Sequence, residues 1–290
     1  MPRLEPQARF IAHTSSFTEL DLKSTRSYLI KRLKSEITRV HRHEAQSFHP
    51  SVYVETSGNR KDMAEVSLID RLLGIVLMDW RVADLNLSVI PELEVTAQQA
   101  CARMVRCVSL KPPKDASRVS FMETHVGCAA VLIVQHLTRS EGEKPLLERH
   151  GYQRCVSILG SAVKLALYRP VQESNVPLMP YDGCEVLYGR AGLLYALLFL
   201  RSNVTAEMYS DAPLIGDIKA LISFDTLRKV VDDVIERGRM GAEATRPPGV
   251  APPTWAPLMW SWHHKLYLGA AHGVGKSMSP IAPDLVFSSR

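Results

Sequence analysis

A chain of 290 residues with 46% apolar and 22% charged side chains has the composition of an ordinary folded protein, which excludes disordered, collagen-like and coiled-coil classes. Its longest apolar run, Ala191 to Leu200, is about half the roughly 20 residues a membrane-spanning helix requires, and no leader pattern opens the chain, so a cytoplasmic protein is expected. The net charge of +5 is local, because Lys23 to His43 carries seven Lys/Arg against one acid, Glu36.

In that stretch Leu22, Leu29, Leu33, Ile37 and Val40 recur every three, four or seven residues, which predicts an amphipathic helix ringed by cations. Such a helix can lie on an anionic membrane through residues 22–43, or simply pack on its own domain. It lacks the run of aromatics that single-stranded nucleic acid would stack on, so no nucleic-acid partner is expected. Further helices are predicted over Glu65 to Trp80, Leu93 to Val108, Val126 to Leu137, Gln153 to Tyr168, Ala191 to Arg201 and Phe224 to Arg237, with alternating strand patterns nearly absent. Between them lie breakers: Lys111-Pro112-Pro113, Arg169-Pro170, Pro177 to Gly183, and Arg246 to Pro257, where five of twelve residues are proline. The last is the single candidate linker, ahead of a tail rich in Trp and His.

Five cysteines, Cys101, Cys107, Cys128, Cys155 and Cys184, are widely spaced with no Cys-x-x-Cys pair, which suggests reduced thiols rather than a disulfide framework or zinc ribbon. Three predicted helices begin alike: Thr124-His125-Val126-Gly127, Tyr188-Gly189-Arg190-Ala191-Gly192, and Ala271-His272-Gly273-Val274-Gly275. The glycines fall 65 residues apart (127 to 192) and then 83 apart (192 to 275). Helical hairpins repeated on that scale, with glycine wherever a helix start crowds a shared axis, suggest a ring of helix pairs whose positive helix ends gather at the centre.

Cys184-Glu185-Val186-Leu187-Tyr188-Gly189-Arg190-Ala191-Gly192 resembles the Leu-Tyr-Gly-Arg-Ala-Gly signature of eukaryotic lanthionine synthetase C-like (LanC-like) proteins. Tyr267-Leu268-Gly269-Ala270-Ala271-His272-Gly273 is similar to a second motif of that family, in the right order and at about the expected distance. Ser120-Phe121-Met122-Glu123 before Gly127 is similar to a third, weaker feature.

The resemblance implies an all-α fold, an α/α toroid over residues 61–275, preceded by an extension over residues 1–60 that holds the basic helix and followed by an irregular tail over residues 276–290. It implies a central zinc ion and addition of a thiol to a dehydrated serine or threonine, in peptide cyclisation or with glutathione as the thiol. Zinc lowers a thiol pKa so that thiolate is present at neutral pH, and an acid protonates the enolate left by conjugate addition. By the same resemblance His272 and Glu185 are the catalytic candidates, Arg190 and Tyr188 the substrate-binding ones, and Gly189, Gly192 and Gly273 serve close helix packing. Glutathione or a peptide or protein substrate is the implied partner.

The tail departs from the family. Nothing after His272 is Cys or His, so the family's zinc ligands have no counterpart and no metal ligand is assigned; a toroid incomplete at its C-terminal end, with weak or absent activity, is the expectation. A non-catalytic peptide- or glutathione-binding scaffold is the alternative. A third reading is a carbohydrate-active α/α toroid, which needs two carboxylates about 5 to 9.5 Å apart, and Glu185 has no evident partner.

Several residues also have plainer readings. Ala270 to Ser277 satisfies a permissive P-loop pattern but has no strand before it and Pro280 soon after it. His263-His264 point apart on any regular element and do not share a metal easily. Glu185 can act on the helix dipole, Arg190 can pair with another helix end, and Cys184 has an acidic neighbour that disfavours thiolate.

Overall fold

A computed structural model describes residues 22–47, 73–81, 101–102, 104–105, 110–138, 146–168, 183–205, 215–250, 256–262 and 265–266. The fold is all-α: α1 (Leu22–Ser47), α2 (His125–Leu137), α3 (Arg149–Leu167), α4 (Arg190–Asn203), α5 (Ile215–Leu221) and α6 (Phe224–Thr245), with residues 73–81 also helical. Two two-residue strands, β1 (Ser261–Trp262) and β2 (Lys265–Leu266), pair antiparallel, Ser261 opposite Leu266 and Trp262 opposite Lys265. The chain divides into two compact units, one holding α1 and the other the remaining described elements.

Among the described helices of the larger unit α2 is the most enclosed. Every residue from Val126 to Gln135 is buried, the pattern of a helix enclosed on all sides rather than amphipathic. It packs against α3 and α4, while α4 packs on α6, and α3 on α5 and α6. The outer helices show the stripe expected of one-sided burial: Tyr152, Cys155, Val156, Ile158, Leu159, Ala162 and Ala166 on α3, and Leu227, Val230, Val234 and Ala242 on α6. Two helices start on side-chain caps, Thr124 accepting from the Val126 amide and Ser223 from the Thr226 amide.

After the proline-rich stretch the chain packs back on α6 at Met259 and Trp260. Gly249 takes the left-handed conformation, φ 80°, in the turn after α6. Beyond it the Met259 amide donates to the Gly238 carbonyl, and the buried Trp260 donates from Nε1 to the Val234 carbonyl at 2.9 Å. α6 runs to Thr245, past the predicted stop at Arg237, because Gly238 and Gly241 lie on its buried face rather than ending it. The short helix α5 and the strand pair have no counterpart among the predicted elements.

Candidate functional site

The motif Cys184 to Gly192 folds as a tight turn feeding α4, laid against the segment that feeds α2. Gly183, at φ 70°, opens it, in a conformation side chains rarely take. Both oxygens of Glu185 then accept backbone N–H groups, Oε2 from Leu187 at 2.8 Å and Oε1 from Tyr188 at 2.6 Å. A carboxylate placed so, just ahead of a helix start, satisfies amide donors and meets the positive end of the dipole. Glu185 is 2% exposed, and these bonds make it the brace of the turn.

The turn is sewn to its neighbour. The Tyr188 carbonyl accepts from the Val119 and Ser120 amides, the Gly192 carbonyl from the Phe121 amide, and the Leu187 carbonyl from the Ser120 hydroxyl. Gly192 cannot carry a side chain here, because a Cβ would stand 2.2 Å from the Val186 oxygen and 2.4 Å from the Ser120 Cβ.

Arg190, the first residue of α4, turns inward and is 5% exposed. Its guanidinium donates from Nε to the Ala166 carbonyl in the last turn of α3 at 2.9 Å, and from Nη1 to the Gly183 carbonyl at 3.2 Å. It also lies 3.2 Å from Asp233 Oδ2 on α6, an oxygen shared with Arg237 Nε at 2.6 Å. One buried carboxylate thus sits between two buried guanidinia, tying α4, the end of α3 and α6 together. Burial lowers the pKa of Arg190, opposed by Cys184 and Asp233.

Cys184 is fully enclosed beside this cluster, and burial pushes its thiol up to about 11 despite the pull of Arg190 and Arg237. It is held as a thiol, and the cause is burial rather than its acidic neighbour. Cys155 is likewise pushed up to about 12 by burial. All four described cysteines are buried, and among the described residues no group of three His, Cys, Asp or Glu converges.

Tyr188 and Leu187 are the half-buried residues of the motif. The Tyr188 phenol is raised to about 12, first by a hydrogen bond to the Glu123 carboxylate and then by burial. The Arg118 guanidinium lies 4.4 Å from the centroid of the Tyr188 ring, within cation–π range. Arg118, Glu123 and Tyr188 therefore form one half-exposed polar group where the entries to α2 and α4 meet. Of the residues singled out in the sequence, the structure brings Glu185, Tyr188, Gly189, Arg190 and Gly192 together, while His272, Gly273 and the pair His263-His264 lie outside the described residues.

Asp233 and Arg237 have no place in the sequence reading, yet a signal for them exists. They stand four apart on the same stripe as Leu227, Val230 and Val234, and charges at core positions of an amphipathic helix must find partners inside.

No family model matches the chain. Among curated proteins the chain is similar to Glutathione S-transferase LANCL1 of Danio rerio, 29% identical over 90 residues. The matched stretch is thus similar to part of a LanC-like protein. The match takes in 31% of this chain and 18% of that relative's length, so the chain spans less than a fifth of the protein it matches.

Proposed function

We propose that this LanC-like chain binds glutathione, or a peptide carrying dehydroamino acids, at the joined entries to α2 and α4. The observation that carries this reading is the Arg118–Tyr188–Glu123 group, an exposed cation and a phenol paired with a carboxylate, set on a turn that Glu185 and Arg190 hold rigid. Side chains held rigidly at helix starts are what ligand positioning needs. Arg118 meets a ligand carboxylate, Tyr188 and Glu123 meet its amides, and Glu185 and Arg190 act as positioning residues. The similarity to a protein named as a glutathione transferase supports the ligand class.

Thiol addition is the second reading, favoured by the same name. His272 takes the thiol proton, the thiolate sulfur uses its pair to bond to the β-carbon of the dehydroamino acid, the π pair of the carbon–carbon double bond moves to the carbonyl as an enolate, and His272 returns the proton to the α-carbon. No three metal-ligating side chains converge among the described residues, and every step above rests on this chain's own residues.

Calorimetric titration with glutathione and with S-methylglutathione tests the binding. Saturable binding of both, weakened about tenfold or more by Arg118→Ala, is expected from loss of a charge-assisted contact worth about 1.5–3 kcal/mol. Absence of saturable binding would overturn the proposal. Mass spectrometry of a dehydroalanine peptide incubated with glutathione separates the two readings: adduct formed faster than in buffer, and lost in His272→Ala, establishes transfer.

A further inference from the structure

Between Lys23 and Val40 α1 carries six Lys/Arg and one acid, a net +5 equal to that of the whole 290-residue chain. The remainder of the chain therefore has no net formal charge, and the positive excess resides in this helix. The lone acid, Glu36, is already engaged by two cations, Arg32 at 3.2 Å and Arg39 at 2.7 Å.

Burial divides the helix into two faces. Ile37 is buried, and Ile30, Leu33 and Val40 are half-buried, which marks one stripe as packed. Tyr28, Lys31, Arg32 and Arg39 lie on the opposite side at helical spacing and are all exposed, Tyr28 at 66%, with Leu29 at 58% on the border. An aromatic and a leucine standing among cations match an environment that is apolar beneath and anionic above. The headgroup boundary of an anionic bilayer is such an environment, since tyrosine settles at the interface and each nearby Lys/Arg adds attraction. No described helix is long and apolar enough to cross a membrane, so the contact is one of lying on the surface.

We propose that the outer face of α1, through Tyr28, Leu29, Lys31, Arg32 and Arg39, docks the protein flat on an anionic lipid surface. The stripe through Ile37 stays packed while the outer face engages lipid, so binding requires no unfolding.

The test is flotation of the full chain with vesicles of phosphatidylcholine alone and with about a third phosphatidylserine. Binding to the anionic vesicles only, falling as salt rises, is expected. The double variant Lys31→Gln/Arg32→Gln is expected to lower partitioning about 25-fold, roughly fivefold per charge, and Tyr28→Ser to lower it further at unchanged helical content. Equal binding to neutral vesicles, or anionic binding indifferent to these variants, would overturn the proposal. So would displacement of the protein from vesicles by an equal charge of a short RNA, which would show a preference for polyanions over a lipid surface.

Discussion

Gly127 and Gly192 occupy the same place in two different helices. Each is the third residue, of α2 and α4 respectively, and each lies against the carbonyl oxygen of the residue six positions earlier, Phe121 and Val186. A Cβ on either would stand 1.8 Å or 2.2 Å from that oxygen, and a backbone carbonyl cannot swing aside as a side-chain tip can. The 65-residue interval between the glycines is thus a structural repeat of one turn and one helix start.

Gly192→Ala and Gly127→Ala are therefore each expected to cost about 3 kcal/mol or more, the upper range for overpacking. Gly160→Ala in α3 is the control. Nothing lies within 4 Å of a Cβ there, so exchanging glycine for alanine inside a helix should gain about 0.5–1 kcal/mol. Urea unfolding midpoints of the three variants check both signs.

How much of this was legible follows from what each residue does locally. The start of α2 and the start of α4 can be read because glycine, cap and apolar run are contiguous in sequence. α3 begins at Arg149, ahead of the predicted Gln153, because Glu148 at its start makes no side-chain cap bond and gives no local mark. The end of α6 is misread because Gly238 looks like a stop, while its true purpose, room for Trp260, is set 22 positions away. For the site, the motif announces Glu185, Tyr188 and Arg190 but not their direction. Only the fold shows that Arg190 is buried against Asp233 while Tyr188 stays half-exposed.

Asp233 is expected to be the most sensitive polar residue of the core. Asp233→Asn leaves two buried guanidinia without their shared carboxylate, a loss of about 3–5 kcal/mol by analogy with other broken buried pairs. The triple variant Asp233→Leu/Arg190→Met/Arg237→Met removes charge on both sides and should recover most of that loss. Recovery of stability, read by chemical denaturation, would separate burial of unpaired charge from a mere packing defect.

Tyr188 gives the protein an alkaline signature. The phenol is raised from 10.0 to about 12, so the folded state favours its neutral form. The stability linked to it is intact below pH 10 and is lost as pH climbs from 10 toward about 12. Ultraviolet titration should show Glu123→Gln moving one phenol down toward its ordinary value. An unchanged titration curve would show that the hydrogen bond to Glu123 is not what holds it.

Cys155 and Cys184, raised to about 12 and about 11 by burial, should resist alkylation in the folded protein. Only thiolate is nucleophilic, and almost none is present at neutral pH. Iodoacetamide at mildly alkaline pH, followed by peptide mapping, should label both rapidly in denaturant and scarcely at all without it. Rapid labelling of Cys184 in the native state would mean that the Arg190 and Arg237 charges prevail over burial.

Trp260 carries the remaining prediction, because it is the clasp by which the segment after the proline-rich linker holds α6. Its indole lies over Gly238, where an added Cβ would stand 2.5 Å from the ring, and its N–H reaches the Val234 carbonyl. Trp260→Ala should cost about 3–5 kcal/mol, the range for truncating a buried aromatic. Trp260→Phe keeps a ring in place but leaves that carbonyl with one bond fewer, so the hydrogen-bond share of its cost should be about 1 kcal/mol. Gly238→Ala should act on the same contact from the other side. If the clasp is one interaction, combining Gly238→Ala with Trp260→Ala should cost clearly less than the sum of the two, since the ring that the methyl collides with is gone. A double-mutant cycle by urea denaturation measures this, and strict additivity would mean that the segment and the helix are held together elsewhere.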